Sequence, residues 1–347
     1  MGLAAFLKYA GGFDAVIDVR SPAEFALDHV PGAVNMPVLS DVERARVGTI
    51  YTRDSPFAAR KIGAALVARN VAAHVENALM GQEGGWHPLV YCWRGGQRSG
   101  SFATILRQIG WRVEVLEGGY RSYRRQVVEM LYDQPLAHRL IRLDGNTGSA
   151  KTDLLARLAA RGVQVVDLEG LAGHRGSILG EMAGPQPSQK AFESALAQAV
   201  CAADQNRVLL VEAESSRIGA LRLPPSLWAG MRAAPRLVVA APVAARARYL
   251  AEIYAGYASD LPCLTARLDH LRPLAGHEQV DHWIALAQEG QLQALAAGLI
   301  KGHYDPAYTR ARAADTTQII DRFETDNLDE TAREVLADRL AARLRQV

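Results

Sequence analysis

The sequence predicts an α/β fold built from two successive parallel sheets, the second running on into a helical C-terminal part. Three observations carry that expectation. Short apolar runs alternate with helical patterns, which is the rhythm of parallel strands joined by crossover helices. The rhythm breaks in an Arg-, Tyr- and Gln-rich stretch from Arg121 to His138 and then restarts. At 347 residues the chain is long enough for two domains, each with its own core.

In chain order, Ala15–Val19 and Leu89–Tyr91 read as buried strands, and Val113–Leu116 as a third strand before the turn Gly118-Gly119. Residues 58–75 and 99–109 between them read as helices. Expected boundaries are 1–125 for a first domain, 126–138 for a linker and 139–347 for the second domain. There, strands are expected at 140–143, 163–166, 208–211 and 237–240, with helices at 152–160 and 188–203. From Ala244 the pattern is mostly helical to the end.

Composition excludes several classes. The net charge of +2 is too small for bulk electrostatics to drive nucleic-acid binding, so any such contact needs a local basic face. Cys92, Cys201 and Cys263 are far apart and form no CxxC pair, which argues against a disulfide framework or structural zinc. The apolar run in residues 1–8 is too short for a signal peptide, Phe6 spoils a myristoylation pattern, and no run of 18 apolar residues exists. The expectation is a soluble, cytoplasmic protein with no membrane partner.

Cys92-Trp93-Arg94-Gly95-Gly96-Gln97-Arg98-Ser99 follows a strand and feeds a helix. Loop N–H groups and the helix dipole at such a junction lower a thiol's pKa and bind an attached anion. Arg94 and Arg98 add positive charge, and Gly95-Gly96 permits the curl. Cys201 and Cys263 lack such surroundings and read as ordinary core residues. The segments Asp18–Phe25 and His29–Pro37, together with this loop, resemble the rhodanese family over roughly residues 14–121. That resemblance implies a covalent sulfur or selenium adduct on Cys92. Asp18, Arg20 and His29 read as structural. Five residues separate Cys92 from Arg98, as in rhodanese-like phosphatases, so the ring suits a phosphate-bearing chalcogen donor better than a bare sulfur.

Gly145-Asn146-Thr147-Gly148-Ser149-Ala150-Lys151-Thr152 also follows a strand and opens a helix, the context a phosphate-cradling P-loop requires. Its N–H groups would hold phosphate, Lys151 would reach a phosphate oxygen and Thr152 would bind Mg²⁺. Ala150 replaces the usual glycine, which is tolerable if φ stays negative there. Asp167 and Glu169 close one strand, and Glu212 and Glu214 close another in the position of a Walker B carboxylate. Either pair is a candidate to organise Mg²⁺.

The segments 167–177, 211–219 and 303–308, with the cysteine loop, resemble the bacterial tRNA 2-selenouridine synthase family over nearly the whole chain. Departures are Ala150, and Ala311 after Arg310, where serine is expected. The resemblance implies an N-terminal rhodanese-like domain and a P-loop NTPase-like domain with a helical C-terminal part. It implies a transferase acting on the anticodon stem-loop of tRNAs for Lys, Glu and Gln. Selenium from selenophosphate would replace sulfur in wobble 2-thiouridine, through an S-geranyl intermediate made from geranyl diphosphate. On that basis Cys92, Arg94 and Arg98 would take selenophosphate, with Gly95, Gly96 and Gln97 in its cradle. Gly145 to Thr152 would take a diphosphate, with Lys151 on the departing charge and His174, Arg175 and Glu214 on the substrate side. Two basic clusters with a tyrosine, Arg121–Arg125 and Arg246–Tyr249, are candidates for an RNA face. The rival reading is a rhodanese/P-loop sulfurtransferase serving a small-molecule acceptor.

Overall fold

The computed structural model describes residues 2–347 except 178, 179, 181, 183, 256–259 and 314; the side chains of 254 and 311 also lie outside what is described. The chain divides into two compact units. The first comprises residues 1–134 with 187–202, and the second comprises residues 135–186 with 203–347. Residues 126–138, expected as a linker, are helical through Asp133.

The first unit carries four parallel strands: β1 (Ala15–Asp18), β2 (Val34–Asn35), β3 (Pro88–Tyr91) and β4 (Glu114–Val115), in the order β2-β1-β3-β4. The central strands β1 and β3 are apolar because helices cover both faces of a parallel sheet. Ile17, Val90, Phe102, Leu106 and Trp111 meet in the core. The helix Gln97–Ile109 ends at Gly110, whose φ of +115° lets the chain turn back towards β4. The helix Gln189–Ala202, distant in sequence, belongs to this unit and packs on helices Leu3–Ala10 and Gly119–Val128.

The second unit holds β5 (Leu140–Gly145), β6 (Gln164–Val166), β7 (Leu209–Glu212), a two-stranded hairpin of β8 (Arg217–Ile218) and β9 (Leu221–Arg222), β10 (Arg236–Ala240) and β11 (Ile319–Glu324). Its main sheet is wholly parallel, in the order β11-β10-β5-β7-β6. The helical pattern expected to the C-terminus therefore misses β11. That strand lies at the sheet edge and buries only Phe323, so Asp321, Arg322 and Glu324 interrupt any apolar run. Because β5 is central, the loop after it lies between the carboxyl ends of β10 and β7, where open α/β sheets bind ligands.

A separate helical core surrounds Trp283, which is fully buried. Gly298 and Gly302 press on its indole, and a Cβ at either would come within 2.9 Å of the ring. This packing carries helix Val243–Tyr254 and the segment around Asp305 to the P-loop. Among the described residues, no helix is long and apolar enough to cross a membrane.

Candidate active site

Cys92 follows β3 directly and is 4% exposed, at the base of its loop rather than on the rim. The loop's shape is fixed from behind. Tyr120 N–H donates to the Cys92 carbonyl at 2.8 Å and Arg121 N–H to the Trp93 carbonyl at 3.1 Å. Those carbonyls are thereby engaged away from the thiol. The close approach demands glycine at 119, since a Cβ there would lie 2.3 Å from the Cys92 oxygen. Gly95, with φ +68°, has the same constraint against Leu116.

Burial pushes the Cys92 thiol pKa up, but the Ser99 hydroxyl and the N–H groups of Ser99, Arg94 and Gly96 favour the thiolate, and the net shift is downward. The Ser99 Oγ–Sγ distance is 3.2 Å. The loop N–H groups expected from the sequence thus lower the pKa together with the Ser99 hydroxyl, and no arginine side chain takes part. Arg98 is occupied, donating to Glu24 at 2.8 Å, while Arg94 is exposed. Gln97 opens the helix and is exposed, as is Gly96. Cys201 is half-buried with its sulfur 3.7 Å from that of Met130, and burial raises its pKa.

Beneath the loop, Arg20 is 1% exposed and forks onto Asp18, with N–O distances of 2.6–3.0 Å. It also donates to the Asp28 carbonyl at 2.7 Å and lies 4.0 Å over the Tyr120 ring. Tyr120 in turn donates to the Asp28 carboxylate at 2.6 Å. His29 stacks on Phe25 and bonds its carbonyl through Nδ1. These residues position the clamp on the loop and do not reach its thiol.

The P-loop begins at Gly145, the last residue of β5, and ends at Lys151, the first of helix Lys151–Ala160. Gly148 sits at φ +83° against Leu250 and the Arg246 carbonyl, with no room for a side chain. Ala150 adopts φ +61°, and among the described residues no other non-glycine has positive φ. The negative φ on which tolerance of alanine was conditioned is therefore absent. A left-handed alanine costs about 1–2 kcal/mol, partly offset because its methyl is 3% exposed and packs in the core.

The segment around 303–305 brackets this loop. Asp305 accepts from Asn146 Nδ2 at 2.9 Å and takes a two-pronged contact from Arg246 at 2.7 and 2.8 Å. Arg246 also donates to the Thr147 carbonyl at 3.2 Å. On the other side, buried Asp144 pairs with Arg236 at 3.1 Å and Arg312 at 2.5 Å, and Arg312 also donates to Asn146. Arg246 is 4% exposed, so it belongs to the loop's support and not to an RNA face. Tyr123 is likewise buried and presents no ring for stacking.

Lys151 Nζ donates to the Gly145 carbonyl at 3.0 Å. Burial works against its charge, but Tyr308 and the carboxylates of Glu214, Glu169 and Glu212 outweigh it and raise its pKa. Thr152 Oγ1 donates to Glu169 at 2.7 Å, and Glu169 N–H donates to Glu212 at 2.8 Å. Oxygens of Glu169, Glu212 and Glu214 lie within 4.8 Å of one another. Burial, then the Glu169 and Glu214 charges, push Glu212 well above the usual carboxylate range. Burial and Glu169 push Glu214 up to about 7. Glu212 Oε2 is buried with no hydrogen-bond partner. An orphaned acceptor among clustered carboxylates and a hydroxyl fits a hard divalent cation such as Mg²⁺. The sequence offered Thr152 and either acidic pair for that role; Glu169, Glu212 and Glu214 gather beside Thr152. Asp167 instead caps the helix Leu168–Ala172.

The P-loop faces a cavity of about 540 Å³. Thr147 to Thr152, Glu169, Arg175 and Glu214 supply its polar end, while Tyr249, Leu250, Ile253, Tyr304 and Tyr308 supply an apolar wall. His174 accepts from the Gly176 N–H through Nδ1. The aromatic wall was not legible in the sequence, because Tyr249 and Tyr308 come from separate helices.

The fold and the two loops define a rhodanese-like unit joined in one chain to a P-loop α/β unit. Residues 6–126 match the rhodanese-like domain family, and residues 138–339 match the tRNA 2-selenouridine synthase AAA domain. The chain belongs to the tRNA 2-selenouridine synthase family. It is 33% identical over 323 residues to the tRNA 2-selenouridine synthase of Shewanella loihica, covering 84% of this chain and 86% of that protein. It is 36% identical over 240 residues to that of Psychromonas ingrahamii, where the match spans 69% of this chain and 64% of the relative.

Proposed function

We propose that the protein is a transferase that replaces sulfur by selenium in the wobble 2-thiouridine of tRNA, with selenophosphate as donor and an S-geranyl intermediate made from geranyl diphosphate. The observation that carries this reading is the composition of one cavity. A loop of phosphate-binding N–H groups and Lys151 stands at one end and an apolar, aromatic wall at the other. A prenyl diphosphate has that polarity: a doubly charged head and an apolar tail.

In the first step the thiocarbonyl sulfur attacks C1 of the geranyl group, the C1–O bond breaks and diphosphate departs. The base loses its N3 proton and gains an S-alkyl group. Lys151 and the loop N–H groups stabilise the charge that grows on the leaving diphosphate. Thr152, Glu169, Glu212 and Glu214 would hold Mg²⁺, whose charge would offset that of the diphosphate. The N3 proton passes to water.

The second step belongs to the cysteine loop. The Arg94, Gly96 and Ser99 N–H groups that favour the Cys92 thiolate would also hold the phosphate of selenophosphate. The selenium of selenophosphate adds to C2 of the alkylated base, the sulfur leaves as geranyl thiol with one proton, and water then cleaves the Se–P bond, releasing phosphate and 2-selenouridine. A thiocarbonyl sulfur leaves poorly, whereas an alkylated sulfur departs as a neutral thiol. Alkylation therefore makes the exchange feasible.

Calorimetric titration with geranyl diphosphate, inorganic diphosphate and ATP tests the cavity assignment. Geranyl diphosphate is expected to bind more tightly than diphosphate alone, and Lys151→Ala to weaken both. Tighter binding of ATP than of geranyl diphosphate would overturn the reading in favour of a nucleotide-using sulfurtransferase.

A further inference from the structure

A second cavity, of about 650 Å³, lies within the first unit along helix Gly119–Val128. That volume falls in the range of about 300–1,000 Å³ common to small-ligand clefts. At one end stands Trp93, half-buried, one residue beyond Cys92 and in tilted contact with the Tyr120 ring at 5.3 Å. Along the flanks run Arg121, Arg124, Arg125 and Lys190.

The cations differ in what they already hold. Arg124 is tied to Glu193, a buried carboxylate that also accepts from Tyr132 at 2.5 Å. Arg121 and Arg125, four residues apart on one helical face, have side chains with no ion pair or hydrogen bond among the described residues, and Lys190 Nζ is similarly unpaired. Two carboxylates, Glu129 and Asp133, share the cavity, and Glu129 accepts from Gln134 at 2.9 Å. The unpaired positive charge therefore gathers at the Trp93 end of the helix, where Arg121 N–H is bonded to the Trp93 carbonyl.

We propose that this groove seats the single-stranded loop of the RNA substrate, an unpaired base stacking on Trp93 and flanking phosphates lying on Arg121, Arg125 and Lys190. The inference rests on the tRNA reading above and assigns that substrate a surface. An aromatic face beside free cations is the pairing by which proteins hold unstacked nucleotides without reading their sequence. A free phosphate would use the cations and leave the indole idle. The position suits the chemistry too, because a base on Trp93 sits beside the loop that would hold selenophosphate. Of the other members the sequence offered for this task, Tyr123 and Arg246 are buried and Tyr249 lines the P-loop cavity.

The test is filter binding of a 2-thiouridine tRNA to the full-length chain over a NaCl series. The variants are Arg121→Glu/Arg125→Glu, Trp93→Ala and Trp93→Phe, with Arg60→Glu as the control. Arg60 is an exposed arginine of helix Pro56–His74 that does not line the groove. Circular dichroism and the Cys92 alkylation rate establish that fold and loop are intact in each variant. The double reversal is expected to weaken binding at least about tenfold and to flatten the salt slope by about one for each phosphate no longer neutralised. Trp93→Ala is expected to lose about tenfold and Trp93→Phe much less, with Arg60→Glu near wild type. Tight wild-type binding that none of the groove variants changes would overturn the groove and leave the tRNA reading standing. Failure of the wild type to bind tRNA at all would overturn both.

Discussion

The Ser99 hydroxyl donates to the Cys92 sulfur across 3.2 Å, tying the thiol to the first turn of the following helix. A hydrogen bond to a charged group is worth about 1.5–3 kcal/mol, or about one to two pKa units. Ser99→Ala should therefore shift the pH profile of Cys92 alkylation upward by about one unit or more. Arg98→Ala should shift it far less, because Arg98 is engaged with Glu24. A larger shift from Arg98 than from Ser99 would contradict this assignment.

Asp305 ties Arg246 and Asn146 to the P-loop. Asp305→Ala leaves a buried guanidinium without its carboxylate, a loss of about 3 kcal/mol. Chemical denaturation should register that loss, and titration with geranyl diphosphate should show weakened binding in the protein that remains folded. Unchanged stability would mean that Arg246 finds another partner.

The carboxylate cluster predicts how stability depends on pH. Glu214 has a folded pKa of about 7 against an ordinary value of 4.5, and Glu212 is shifted the same way. A carboxyl raised in the folded state favours folding fully below its unfolded pKa, and that favour is lost as pH rises through the folded value. In chelator, the cluster's contribution should thus decline between about pH 5 and pH 8. Mg²⁺ should raise the melting temperature more at the alkaline end, where the carboxylates are free to bind it. Glu212→Gln should abolish most of that gain. A melting temperature indifferent to Mg²⁺ across the range would rule out a cation at this cluster.

Ala150 gives a backbone prediction. With φ at +61°, Ala150→Gly removes left-handed strain and also removes a buried methyl and adds chain entropy. The terms nearly cancel, so stability should change by less than about 1 kcal/mol. A bulkier Ala150→Val should lower stability and diphosphate binding together, because a β-branched side chain is strongly disfavoured at positive φ. Wild-type behaviour of the valine variant in both assays would contradict the left-handed geometry.

Much of this fold was legible because its central strands are continuous apolar runs that end in glycine-rich loops. β3 into Cys92 and β5 into Gly145 announce themselves that way. β11 did not, since an edge strand that buries only Phe323 has no apolar run to show. The sequence marked both loops and the acidic strand ends. It could not show that Asp305 reaches back to Asn146, a contact across 159 positions, nor that Arg98 is spent on Glu24. Nor does local pattern reveal that helix Gln189–Ala202 packs with the first unit, because that choice is made by tertiary contacts such as Ser194 with Asp28 at 3.0 Å.

The division of labour between the two loops is tested most directly by mass spectrometry of nucleosides. 2-Thiouridine tRNA is incubated with geranyl diphosphate, selenophosphate and the wild type, Cys92→Ser or Lys151→Ala. Wild type is expected to yield 2-selenouridine, Lys151→Ala to lose the geranylated nucleoside, and Cys92→Ser to accumulate it without selenium. A wild type that leaves the base untouched, or a Cys92→Ser variant that still installs selenium, would contradict the assignment.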